Sequence, residues 1–416
     1  MTALGRLRRR ADRAFYRALY RLYRAILPTD VPPGPVPPDT LRRVLVAPRD
    51  AVGDLVMVTP LLSYLRAVAP RARVDVLVSP RNASLLEGDA RVDRALVHNI
   101  RGLHWVRAAL ALRRERYDLV VNAAHSQHVQ QGWFTAIAAG RHAARVTAHR
   151  PRQYRGFFTH VGRVAGFEHR HHVERTLYAL QRAVRAGPPP AHPDTARFPM
   201  SLAPAPDAAA RADAFVGDTL GGRPFVAVNC WASLPVRTLD EAQAAEALAA
   251  LAARHPDLAF VLTPPPGAEG SARAVVREVR ARRPGLPAHA LTVAPSSPRL
   301  ADLVALLARA AVVLTPDTAN VHLAAALGRP VVGLYNSTWP DPFTLHRPFG
   351  VPYHVAALPW RRPLRLLRTM PPAAIVTAFD ALWARLHDGG APSGGRLSKA
   401  ALGARATVVP AGDLGE

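Results

Sequence analysis

Leu4, Leu7, Ala11, Phe15, Ala18, Leu22 and Ile26 recur at three- and four-residue spacings at the head of the chain. Arg6, Arg10, Arg13, Arg17, Arg21 and Arg24 recur at the same spacings on another face, with Tyr16, Tyr20 and Tyr23 along a flank. This pattern predicts a helix over 4–27 with opposed apolar and cationic stripes. Such a helix suits an anionic membrane surface, where each Arg contributes about 1 kcal/mol of attraction. The same pattern also suits a helix that packs its apolar stripe on the protein body and leaves the arginines in water. Segment 1–28 is therefore set apart as a basic amphipathic helix. It is followed by a Pro-rich linker over 29–40, where fixed φ angles and missing donors exclude helix and interior strand.

A different rhythm then begins. Val44-Leu45-Val46-Ala47 is a short apolar run, followed by a Gly-Asp turn and a helical pattern through Arg66. Val74 to Val78 and Tyr117 to Val121 are further strands, and Phe134 to Ala139 belongs to a helix. Strands alternating with helices predict an α/β domain, here 41–186, built on a parallel sheet. A Pro- and Ala-rich linker over 187–206 separates it from a second domain, 207–390, in which the alternation restarts. Its strands are Phe225 to Val228, Leu258 to Leu262, Val312 to Leu314 and Val331 to Leu334. Its helices are Asp240 to Ala253, Leu300 to Ala308, Val321 to Leu327 with Gly328 as its stop, and Pro371 to His387. The tail, 391–416, is rich in Gly, Ser and Ala and reads as disordered. Two such halves imply a cleft, with ligands at the carboxyl ends of the strands.

Composition narrows the class. At 416 residues with 49% hydrophobic positions, the chain can build two cores. No run approaches the ~20 apolar residues of a membrane span, and no apolar core of a secretory signal follows the first arginines. The single cysteine, Cys230, excludes a disulfide framework and a multi-cysteine metal site. These features read as a soluble, cytoplasmic protein, peripheral on the inner face of the cytoplasmic membrane. The net charge of +24 favours anionic partners such as diphosphates and lipid headgroups. Its arginines are dispersed and no nucleic-acid module accompanies them, so nucleic acid is not among the expected partners.

Three loops carry candidate chemistry. In Pro48 to Leu55, Gly53 permits a sharp turn and Asp54 is offered as a general base at the mouth of the cleft, with Asp50 as a competitor. Asp54 could equally cap its helix. In Val312 to Gly328, a strand runs through a polar turn into a helix. The backbone donors at Thr318, Ala319 and Asn320, with the Thr318 hydroxyl, form a ready diphosphate site. His322, in the first turn, reaches toward sugar or phosphate, or else packs as a buried histidine. In Asn229 to Arg237, Ser233 and Arg237 offer a hydroxyl and a fixed cation to an anionic leaving group. A dinucleotide oxidoreductase is disfavoured because no G-x-G-x-x-G follows the first strand of either half.

Together these loops resemble glycosyltransferase family nine, the lipopolysaccharide heptosyltransferase-like family. Val44 through Arg66 with Gly53-Asp54, and Asp317-Thr318 with His322 to Gly328 and Pro330-Val331-Val332, carry the likeness. Tyr117 to Ala139 with Asp118 and His125, and His172 to Arg175, fit less specific positions. The resemblance implies a GT-B architecture: two Rossmann-like domains with parallel sheets facing a central cleft, acceptor on the first and nucleotide sugar on the second. It places Asp54 on the general base, Asp317 on the contact to sugar hydroxyls and Thr318 with Ala319 on the diphosphate turn. His322 matches the signature histidine. Glu269 falls near an acidic residue at the ribose, and Arg237 near a phosphate-binding lysine. The chain departs from the pattern at Ala319, where the family has Gly, and at Arg237, where it has Lys.

The implied reaction is inverting, metal-independent transfer of a heptose or related sugar from a nucleotide diphosphate donor, ADP-heptose foremost, to a lipid-linked envelope glycan. No cofactor is called for, and the absence of an Asp-X-Asp motif fits a site without a metal. A nucleotide-sugar epimerase or hydrolase of the same fold, and a non-catalytic glycan-binding relative, are the alternatives.

Overall fold

The computed structural model describes residues 21–23, 25–48, 51–98, 104–124, 129–148, 156–162, 170–336, 345–359, 366–387 and 408–410. Asp50, His125, most of the N-terminal helix and most of the tail lie outside them. The chain divides into two compact units, Met1–Pro199 and Met200–Glu416.

Unit 1 holds a six-stranded sheet: β1 (Arg43–Ala47), β2 (Arg73–Val78), β3 (Arg94–Val97), β4 (Leu119–Asn122), β5 (Ala144–Thr147) and β6 (His160–Val161). The order is β3-β2-β1-β4-β5-β6, and every pairing is parallel. The central strands are buried apart from Arg43 at the start of β1, as Val44, Leu45 and Val46 show, which is why they read as apolar runs. The helical pattern expected from the Gly-Asp turn to Arg66 is two helices, α1 (Val52–Val56) and α2 (Thr59–Val68). Pro60 causes the break, because a proline removes the amide and crowds the carbonyl four residues back. That carbonyl, on Val56, instead accepts from Thr59 Oγ1 at 2.8 Å. Helices α3 (His104–Arg113), α4 (Val129–Ala139) and α5 (His172–Ala183) complete the unit.

The described end of the N-terminal helix revises one detail of its pattern. Tyr23, placed on a flank, is buried against Phe157 (centroids 4.3 Å apart) and edge-on to Trp133 (5.4 Å). Leu22 and Ile26, from the apolar stripe, are instead 52% and 53% exposed. Tyr23 fastens this end of the helix, and Leu22 and Ile26 face outward beside it.

Unit 2 repeats the plan: α6 (Pro206–Leu220), β7 (Phe225–Val228), α7 (Glu241–Arg254), β8 (Ala259–Leu262), α8 (Glu269–Arg282), β9 (Leu291–Val293), α9 (Leu300–Leu307), β10 (Val312–Pro316), α10 (Ala319–Ala326), β11 (Val331–Tyr335), β12 (Tyr353–Ala357), α11 (Pro372–His387) and β13 (Val408–Pro410). Strand order is β13-β12-β11-β10-β7-β8-β9. Val408–Pro410 pairs parallel with β12, so part of the tail expected to be disordered adds an edge strand. Gly328, at φ +70°, ends α10 in the left-handed conformation that glycine adopts without strain. Among the described residues no helix is long and apolar enough to cross a membrane.

Both sheets change winding direction at one point, β1/β4 in unit 1 and β7/β10 in unit 2. At such a point the loops at the carboxyl ends diverge and leave a crevice for ligand.

Candidate functional site

At the switch point of unit 2, Asn229 follows β7 and Thr315 to Asn320 lead from β10 into α10. Thr318 is the N-cap of α10, in extended conformation, and its Oγ1 accepts from Asn320 N at 3.3 Å. The Val321 N–H goes to the Thr318 carbonyl at 3.2 Å. The amides of Thr318 and Ala319 precede the first helical repeat and have no intrahelical acceptor. Both residues are partly exposed, so the turn is open on that side. Asn320 departs from expectation: it is 7% exposed and its N–H serves the cap rather than facing outward.

Asn229, which the sequence reading passed over, binds the two loops together. Its Nδ2 lies 2.9 Å from Trp231 O, 3.2 Å from Thr315 Oγ1 and 3.4 Å from Thr318 Oγ1, while its Oδ1 accepts from Trp231 N at 3.1 Å. Thr315 and Thr318 hydroxyls are 3.1 Å apart. An Asn directly after a buried strand, facing two threonines of the next strand's turn, was the available signal. Only the parallel pairing of β7 with β10 brings them together.

Arg237 and Asp317, assigned separate tasks from sequence, pair with each other at 2.8 Å. Asp317 is 7% exposed. Burial pushes its carboxyl up to about 6, with Arg237 acting in the opposite direction. His322 is buried and lies edge-on to His346, centroids 5.9 Å apart. Ser233 is exposed on the loop before Arg237. Glu269 opens α8, and its carboxylate accepts from Ser296 Oγ at 2.6 Å and Gly267 N at 2.9 Å. Trp231 Nε1 donates to Ser271 Oγ at 3.2 Å, joining α8 to the loop that holds Arg237. Thus Arg237 and Asp317 are paired, Thr318 is tied through Asn229 to the loop after β7, and Glu269 stands at the start of α8, which Trp231 joins to that loop; this carboxyl edge of one sheet is the candidate site. It offers partly exposed amides, a cation and two carboxylates, a combination suited to a sugar carrying a charged leaving group.

In unit 1, Asp54 does not cap α1. Ala51 occupies the cap position without a side-chain bond, and Asp54 is the third residue of the helix. A carboxylate in that first turn is favoured by the helix dipole. The side chain is 3% exposed rather than openly presented. It lies on the helix that follows β1 at the switch point, where the Ala123 N–H after β4 bonds the Ala47 carbonyl at 3.0 Å and the Ala123 carbonyl meets His172 Nε2 at 3.0 Å.

The model for glycosyltransferase family 9 (heptosyltransferase) matches residues 105–357, more than half of the chain. The glycosyl transferase family 9 structure from Veillonella parvula DSM 2008 superposes with TM-score 0.66 at 16% identity, covering 82% of this chain and 97% of its own. The E. coli ADP-heptose lps heptosyltransferase II gives TM-score 0.62 at 20% identity, covering 83% and 99%. The E. coli heptosyltransferase WaaC with ADP-2-deoxy-2-fluoro heptose gives 0.58 at 21% identity, covering 82% and 99%. These likenesses establish the GT-B fold. No curated protein matches the sequence.

Proposed function

Because this chain belongs to glycosyltransferase family 9 and is a glycosyltransferase, we propose that it transfers a heptose or related sugar from a nucleotide diphosphate donor, ADP-heptose foremost, to a lipid-linked envelope glycan, with inversion and without a metal. The observation that carries this reading is the set Arg237–Asp317–Thr318 at the switch point of unit 2. The open amides of Thr318 and Ala319, with the hydroxyls of Thr318 and Ser233 and the charge of Arg237, receive the diphosphate. Charge developing on a departing diphosphate is stabilised by such fixed donors, each worth about 3 kcal/mol in comparable sites. Asp317 and His322 face the sugar, and Glu269 the ribose. The positive end of α10 and Arg237 do the work that a divalent ion does elsewhere.

Asp54 takes the proton of the acceptor hydroxyl as that oxygen attacks the anomeric carbon from the face opposite the leaving group. One displacement forms the new glycosidic bond and breaks the bond to phosphate, so the configuration inverts. The basic helix of 4–27 holds the enzyme at the inner face of the cytoplasmic membrane, where a lipid-linked acceptor is found. The outward Leu22 and Ile26 support this placement.

The test is product analysis. ADP-heptose and a core glycolipid acceptor are incubated with the full chain, with and without EDTA. The anomeric configuration of the product is then read by NMR. An inverted heptoside formed at equal rate with chelator is expected. Heptose released to water with no acceptor product, or complete inhibition by EDTA, would overturn the reading.

A further inference from the structure

The carboxylate of Glu269 is held from two sides by the protein itself. Ser296 Oγ donates to Oε1 at 2.6 Å and Gly267 N donates to Oε2 at 2.9 Å. Gly267 stands at φ +92°, a left-handed turn conformation suited to glycine, and this turn carries its N–H back onto the side chain two residues on. Glu269 is also the first residue of the fourteen-residue α8, where negative charge is favoured. Its carboxyl lies below the ordinary range, the Ser296 hydrogen bond being the largest cause. Each oxygen has thus accepted one hydrogen and keeps a further acceptor position. Two adjacent, ionised acceptors remain, spaced to meet two neighbouring hydroxyls.

We infer that Ser296 is a positioning residue for the nucleoside end of the donor, fixing the Glu269 carboxylate so that both oxygens accept from the 2′ and 3′ hydroxyls of the ribose. A glutamate side chain otherwise loses considerable rotamer freedom on binding. The bonds to Ser296 and Gly267 impose that loss in advance, which is how preorganised groups gain affinity. Ser296 follows β9, whereas Glu269 follows β8, so the contact also fixes the spacing of two loops across which a nucleoside lies. This inference rests on reading unit 2 as a nucleoside diphosphate site.

The test compares ADP with 2′,3′-dideoxy-ADP by calorimetric titration into the full chain, as wild type, Ser296→Ala and Ser296→Thr. Ser296 is exposed, so neither change disturbs the core. Ser296→Ala is expected to weaken ADP about threefold to tenfold, the worth of one hydrogen bond. It should leave dideoxy-ADP unchanged, and Ser296→Thr should restore ADP binding. Equal weakening of both nucleotides would mean that the serine merely braces its loop, and the inference would fall. So would an unchanged ADP affinity in Ser296→Ala. Failure of the wild type to bind either nucleotide would instead overturn the nucleoside diphosphate reading, and this inference with it.

Discussion

Arg237 Nη1 lies 2.8 Å from Asp317 Oδ2 and 3.2 Å from the Asp317 carbonyl oxygen. The loop after β7 therefore closes onto the turn after β10, and the cation proposed for phosphate and the carboxylate proposed for sugar share one contact. A charge-assisted bond in a half-buried place is strong enough to fix both groups and short enough in reach to be exchanged for a ligand's oxygens.

The pH dependence follows from this pair. Asp317 has a usual value of 3.8 and is pushed up to about 6. The folded state thus holds the proton more tightly than the unfolded chain. The stability this group contributes is fully present below about pH 4 and is lost as pH rises through 6, by something on the order of 3 kcal/mol. Urea denaturation between pH 4 and 7 should show that slope in the wild type and not in Asp317→Asn. Turnover that needs the ionised carboxylate should decline below about pH 6. Arg237→Ala, which removes the opposing charge, should move that limb upward; a limb that stays in place separates Asp317 from the rate.

On the proposed mechanism Asp54 bears on the chemistry and not on the nucleotide, which that mechanism assigns to unit 2. Asp54→Asn should lower kcat by about 10²–10⁴, the range for a general base, while ADP affinity stays within about twofold of wild type. Full turnover by this variant would assign the proton to another group.

Asn229 and Thr318 should act as a pair. Thr318→Ala removes a helix cap at a cost of about 1 kcal/mol and, on the proposed mechanism, one donor to the diphosphate. Asn229→Ala should weaken ADP in the wild-type background and much less in Thr318→Ala. A double-mutant cycle in ADP binding measures the coupling; strict additivity would show that Asn229 supports the loop without bearing on the cap.

Gly132 faces the ring of Phe157, and a Cβ built there falls 2.8 Å from Phe157 Cγ and 2.9 Å from Cε2. Gly132→Ala should therefore destabilise the chain by about 1–3 kcal/mol through overpacking. It should also loosen the Tyr23 end of the N-terminal helix, which packs on the same ring. A melting temperature equal to wild type would mean that the aromatic cluster yields freely.

Leu22→Gln with Ile26→Gln replaces two outward aliphatics and leaves Tyr23 in its socket. Co-sedimentation with vesicles containing anionic lipid should fall, and thermal stability should not. Unchanged sedimentation would place the membrane contact away from this stripe.

The elements most legible in the sequence were those whose residues carry their own local instruction. The buried strands Val44–Ala47 and Phe225–Val228 read as apolar runs because both faces are covered. Gly328 read as a helix stop because few other residues adopt its backbone angle at no cost. The interruption at Pro60 was equally local, yet it was passed over because the apolar spacing continues across it.

What the amino-acid order fixed by itself was the alternation of strand and helix and the turn chemistry at Asp317-Thr318, both set by neighbours a few residues away. Which polar groups meet was decided only by the folded sheets. Pairing of β7 with β10 brings Asn229 to Thr315 and Thr318. The loops at the same sheet edge bring Arg237 to Asp317 and Ser296 to Glu269. Those contacts join residues 27 to 89 positions apart, and no local spacing encodes them. Burial, likewise a property of the packed whole, gives Asp317 its shifted proton affinity and turns Tyr23 inward while leaving Leu22 and Ile26 exposed.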